Sequence, residues 1–119
     1  KVLEAGKAKA PYVLVAHSMG GIYARMFYHL YPQLVKAIVL VDASHERTMD
    51  SLLSFVPMPD RQMLAAYLQY INDSTLQTYP AGSVKEEFRA NFQLNYNQIM
   101  EKPAITKIPV YVLSSVKVA

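Results

Sequence analysis

Two short apolar runs without alternation, Tyr12-Val13-Leu14-Val15-Ala16 and Ala37-Ile38-Val39-Leu40-Val41, stand on either side of a single helical pattern. A strand with one wet face alternates apolar and polar residues, so an unbroken apolar run suits a strand buried on both faces of a parallel sheet. Between the runs, from Met19 onward, Ile22, Tyr23, Met26, Phe27, Leu30 and Tyr31 recur at helical spacing and lay one apolar stripe, which Pro32 closes. Strand, helix, strand is the βαβ unit, whose two strands run parallel. The expected class is therefore α/β, a parallel sheet with flanking helices.

The rest of the chain divides around this unit. Residues 1–9 read as the end of a helix, with Leu3, Glu4, Ala5, Ala8 and Lys9 as good helix formers and Pro11 as the stop. A chain that opens in mid-helix reads as truncated. Residues 47–102 become rich in Met, Tyr, Gln and Asn, and two helices are expected there. One spans about Asp60 to Ile71, with Met63, Leu64, Tyr67, Leu68 and Ile71 on one side and Asn72-Asp73-Ser74 as its end. The other starts at Ser83, which forms a capping box with Glu86, and repeats Val84, Phe88, Phe92, Tyr96 and Ile99 along one face. Pro103 ends this insertion, and Ile108-Pro109-Val110-Tyr111-Val112-Leu113 returns the chain to the sheet. The expected organisation is a core segment 1–46, a helical cap insertion 47–102 and a return strand in 103–119.

Composition narrows the function classes. Hydrophobic residues make up 52% of the chain and charged ones 18%, enough apolar content to order a core and too much for disorder. The net charge of +3 comes from scattered lysines and arginines, which gives no basic stripe for nucleic acid. Without cysteine there is no disulfide framework and no thiolate metal site, and the compartment stays open. Neither apolar run approaches the roughly 20 residues of a membrane-spanning helix, and KVLEAGKAKA has no apolar stretch of signal-peptide length.

The chemistry is concentrated in Val15-Ala16-His17-Ser18-Met19-Gly20-Gly21, at the junction of the first strand and the helix. A nucleophilic serine must present its hydroxyl above the sheet edge. The chain then turns sharply, and small residues two before and two after the serine keep strand and helix apart. Ala16 and Gly20 meet that need. The same turn puts the backbone N–H of Met19 at the start of the helix, where the positive end of the dipole can hold a developing oxyanion. Ser18 would add to an acyl carbonyl after a histidine takes its proton, and water would hydrolyse the acyl-enzyme.

The stretch LVAHSMGGIYARMFYHLYPQLVKAIVLVDASHE resembles the nucleophile-elbow region of the α/β-hydrolase family, in its esterase and lipase-like branch. The similarity covers residues 10–46 and departs from the G-x-S-x-G pattern at Ala16, which adds one methyl group to the turn. The resemblance implies a second oxyanion donor from an upstream loop and a catalytic histidine after the last strand, both outside these 119 residues. It implies an acid after the strand at Ile108 to Leu113 or, in some branches, after the strand ending at Val41, which makes Asp42 a candidate. A small-molecule acyl substrate and no cofactor or metal are implied. A serine nucleophile argues against the aspartate-based dehalogenases and epoxide hydrolases of the same fold.

The other polar residues have blander readings beside the catalytic ones. The pleat directs the His17 side chain away from the serine hydroxyl, so it reads as a packing residue. His29 lies off the apolar stripe and reads as a surface histidine. His45 follows the second strand at the carboxyl end of the sheet, where open parallel sheets bind ligands; it is a candidate base, with a plain loop residue as the simpler alternative. Asp42 orients a histidine or bonds backbone amides in its turn. The rival to an esterase is an inactive relative that binds a ligand or partner through the sheet edge and apolar cap.

Overall fold

The structure, a computed structural model, describes residues 2–90 and 95–115. In chain order its elements are α1 (Val2–Ala5), β1 (Tyr12–His17), α2 (Gly20–Leu30), β2 (Val35–Val41), α3 (Thr48–Ser54), α4 (Asp60–Thr78), α5 (Ser83–Ala90), α6 (Tyr96–Met100) and β3 (Val110–Leu113). A short 3-10 turn, Pro32–Leu34, leads into β2. The chain forms two compact units, residues 1–45 with 99–119, and residues 46–98.

The first unit is built on a three-stranded sheet in the order β1-β2-β3, parallel throughout. Leu14, Ile38 and Val110 lie side by side in one row, and Val15, Val39 and Tyr111 in the next. Successive rows face opposite sides of a pleated sheet. On one side Ala16, Val35 and Ile38 form a core with Ala24 and Tyr28 of α2, ringed by Leu14, Phe27, Leu40, Ile105, Ile108 and Val110. On the other side Val13, Val15, Tyr111 and Leu113 are exposed. The expectation that the first strand is buried on both faces is thus corrected. The connection into β3, through Ile105 and Ile108, arrives on the α2 side. Successive right-handed crossovers that move one way across a sheet deliver their connections to a single face.

The buried face of α2 is also turned from the expected stripe. Gly21, Ile22, Ala24 and Tyr28 are its buried residues, whereas Tyr23, Leu30 and Tyr31 are exposed. Small residues at 21 and 24 let the helix lie close to the sheet, and they outweigh the larger side chains in choosing the contact face. α1 stops at Ala5 instead of continuing to residue 9. The Ala8 amide reaches back to the Leu3 carbonyl at 2.9 Å, with Lys7 left-handed at φ 54°. This is the bond pattern that closes a helix through a left-handed residue.

His29, near the end of α2, is half-buried, and burial lowers its pKa below the usual 6.5, assisted by the positive charges of Lys102 and Arg25. The unfolded chain therefore binds a proton here more readily than the folded one. The stabilising contribution is complete above pH 6.5 and is lost as pH falls from there through the lower folded-state value. Replacing His29 with Gln is expected to flatten the fall in stability below that pH, measured by urea unfolding across a pH series. An unchanged slope would contradict the assignment.

The second unit is helical and differs from the two-helix expectation. α3 has no counterpart in that expectation, and α4 runs through Asn72-Asp73-Ser74 to Thr78. Leu64 and Leu68 are partly buried, while Met63, Tyr67, Tyr70 and Ile71 form a separate exposed row. α5 begins at Ser83, but the Glu86 amide bonds the Gly82 carbonyl at 3.2 Å and the Glu86 carboxylate lies 3.8 Å from Arg89. Phe92, expected on the same face as Phe88, lies outside the described residues. Ile99, expected to extend that face, is buried and falls in the first unit. No helix among the described residues is long and apolar enough to cross a membrane.

Candidate active site

The carboxyl edge of the sheet is where β1, β2 and β3 hand over to turns, and four backbone hydrogen bonds organise it. The parallel ladder continues one step past the strands: the Ser18 amide donates to the Val41 carbonyl at 3.4 Å, and the Asp42 amide to the Leu113 carbonyl at 2.8 Å. The Ser18 carbonyl then accepts from the Gly21 amide at 3.1 Å and from the Ser44 amide at 2.8 Å. Both backbone polar groups of Ser18 are therefore fixed, and the segment 41–44 supplies a partner to each.

Ser18 itself has φ 51°, in the left-handed region. For a residue with a Cβ this conformation is strained by roughly 1–2 kcal/mol, and it persists only where surrounding bonds over-determine it. Here they do. β1 ends at His17 and α2 starts at Gly20, so the reversal from strand to helix takes place across Ser18 and Met19. Met19 is the N-cap residue of α2, and its carbonyl accepts the Ile22 amide at 3.1 Å. Its own N–H belongs to the first turn, at the positive end of an 11-residue helix.

The two glycines after Met19 do different things. A methyl group on Gly20 would meet the Ala16 Cβ at 3.7 Å, an ordinary contact. On Gly21 it would lie 2.6 Å from the Ala43 Cβ. The close approach that the sequence reading assigned to Ala16 and Gly20 is thus at Gly21, against the segment leaving β2. Ala16 is buried at the base of the turn, so its methyl group is absorbed into the core.

Asp42 is the second non-glycine residue at the edge with positive φ, 41°. Its Oδ1 accepts the Ser115 amide at 2.7 Å and the Ser115 hydroxyl at 3.2 Å. His17 ends β1 exposed, on the same side of the sheet as Val13 and Val15. His45 is exposed beside Ser44. With Arg25, Leu40, Asp42, Ala43, Ser44, Val112 and Ser114 it lines a cleft of about 360 Å³. Ser18 is not among those lining residues. The structure thus gathers Ser18, Met19, Asp42 and His45 at one edge of the sheet, with Asp42 engaged by Ser115. No cluster of three or more metal-ligating side chains occurs among the described residues.

The family model of the α/β hydrolase fold matches residues 1–79, about two thirds of the chain. This chain belongs to the α/β hydrolase family. No curated protein and no solved structure matches it significantly. As in the family's fold class, this α/β hydrolase carries a parallel sheet with flanking helices, and its strained serine lies between a sheet strand and the helix that follows.

Sequence reasoning overlooked Gly21, Ala43, Ser44 and Ser115 in this α/β hydrolase. Three of them carried a signal: a second glycine after Gly20, and a small Ala43-Ser44 pair just past the end of a strand, both mark a tight approach. Ser115 carried none, because it is joined to Asp42 only through the fold.

Proposed function

We propose that the protein is a serine hydrolase of carboxylic esters or related acyl compounds, in the esterase and lipase-like manner, with Ser18 as nucleophile. One observation carries the reading: Ser18 has a left-handed backbone at the strand-to-helix turn, with its N–H and C=O both tied down. An ordinary N-cap serine has extended dihedrals and needs no such bracing. Strain held at a nucleophilic side chain is a recurring property of reactive sites.

In this reading the Ser18 Oγ adds to the substrate carbonyl as a histidine takes its proton. The negative charge that develops on the carbonyl oxygen is met by the Met19 N–H and the dipole of α2. The histidine then protonates the leaving alcohol, and water releases the acyl group from Ser18. The family resemblance assigns the histidine to the segment after the last strand, with His45 as the alternative among the described residues.

A fluorophosphonate probe tests the assignment, since it reacts covalently with an activated serine. Capture is expected at Ser18 of the full protein, located by peptide mapping. Absence of capture, or modification at another serine, would overturn the reading.

A further inference from the structure

We propose that Asp42 is a positioning residue for Ser18, fastening the segment that leaves β3 to the one that braces the Ser18 turn. The proposal rests on the reading of Ser18 as nucleophile for its kinetic consequences, and on geometry alone for its structural ones. Asp42 and Ser115 are 73 residues apart in the chain, yet Oδ1 of Asp42 takes both the amide and the hydroxyl of Ser115. A bond from an amide to an ionised carboxylate is shorter and stronger than one to a neutral acceptor, and the 2.7 Å separation fits that class. Asp42 also donates its own amide to Leu113, so it holds the end of β3 at two points.

The next two residues face the other way. Ala43 lies against Gly21, and the Ser44 amide donates to the Ser18 carbonyl. The left-handed φ of Asp42 makes the reversal between the two sets of contacts, and Asp is among the side chains that tolerate that conformation. Three consecutive residues thus link the exit of β3 to the backbone of Ser18. Release of the Asp42 carboxylate frees one anchor of this link, and the strained Ser18 then relaxes. A nucleophile displaced in this way loses rate without losing affinity.

This role differs from that of a catalytic acid in what it asks of the side chain. Positioning needs an acceptor oxygen at Oδ1, which asparagine also provides. An acid needs the negative charge and the correct histidine tautomer, and asparagine in that place costs about 10⁴-fold in kcat.

The experiment compares Asp42→Asn, Asp42→Ala and Ser115→Pro in the full protein. The proline variant removes the donor amide and leaves Asp42 intact, so it serves should Asp42→Ala fold poorly. Asp42→Ala and Ser115→Pro are expected to lower the rate of ester hydrolysis and of fluorophosphonate capture about tenfold with KM nearly unchanged. Both are also expected to speed hydrogen exchange at the Ser44 amide about tenfold, because that bond loses its support. Asp42→Asn is expected to restore both quantities to within about twofold of the parent. A loss in Asp42→Asn as deep as in Asp42→Ala, with Ser44 exchange unmoved, would make Asp42 the catalytic acid and overturn the proposal. Unchanged rate and exchange in Asp42→Ala would overturn it as well. If the parent protein neither hydrolyses esters nor reacts with the probe, the hydrolase reading fails, and Ser44 exchange still decides whether Asp42 braces the turn.

Discussion

Ser18→Gly is expected to abolish ester hydrolysis and probe capture while making the protein more stable, by about 1 kcal/mol. The reason is the φ of 51° at this position. A side chain there costs roughly 1–2 kcal/mol, and glycine is free of that penalty. Against this, glycine loses more conformational freedom on folding, a debit of about 0.5–1 kcal/mol. The balance favours the variant. Ser18→Ala keeps the Cβ and hence the strain, so its stability is expected within about 0.5 kcal/mol of the parent. Its activity is expected to fall by 10⁴-fold or more, since removal of a serine nucleophile leaves only the contributions of binding and the oxyanion donors. Denaturant unfolding with equal slopes measures the first quantity, and ester turnover the second. Retained turnover in Ser18→Ala would remove Ser18 from the mechanism, and a less stable Ser18→Gly would show that the turn is not strained.

The second large effect is expected at Gly21. An added methyl group there meets the Ala43 Cβ at 2.6 Å, with the Leu40 Cδ2 and the Ser44 carbonyl oxygen both at 3.5 Å. A β-carbon cannot swing aside as a long side chain does, so α2 must move away from β2. Overpacking of that kind destabilises by about 1–3 kcal/mol, and Gly21→Ala is expected near the upper end. Gly20→Ala is the control: its contact at 3.7 Å is ordinary, and alanine favours a helix over glycine by up to about 1 kcal/mol. Adding Ala43→Gly to Gly21→Ala is expected to recover most of the loss, as a double-mutant cycle on a pair in direct contact would register. Equal effects from the two glycine substitutions would show that the clearance at Gly21 is not what seats the helix.

The βαβ unit was legible because its signals were local and strong. Unalternated runs gave β1 and β2, and Pro32 marked the end of α2 within one residue. The small residues around Ser18 marked the turn. What could not be read depended on partners distant in the chain. An apolar run does not say whether both of its faces will be covered, and Val13 and Val15 are not. Adjacent glycines look alike until Ala43 is placed against one of them. In the helical unit, Asn72-Asp73-Ser74 are poor helix formers and resemble a stop, but propensity is a weak local preference. α4 continues through them, with Asn72 and Ser74 partly buried.

The spacing of the Asp42–Ser115 contact also bears on how the protein is made. β1, α2 and β2 occupy a continuous early stretch, so the bracket around Ser18 can close while later residues are still being synthesised. The outer edge of β2 must then wait for β3 until the whole helical unit has emerged from the ribosome. During that interval an apolar strand offers unpaired backbone groups to any neighbouring chain. The helical unit is thus a delay as well as an insertion, and the β3 side of β2 stays open to aggregation from the completion of β2 until β3 and Ser115 arrive.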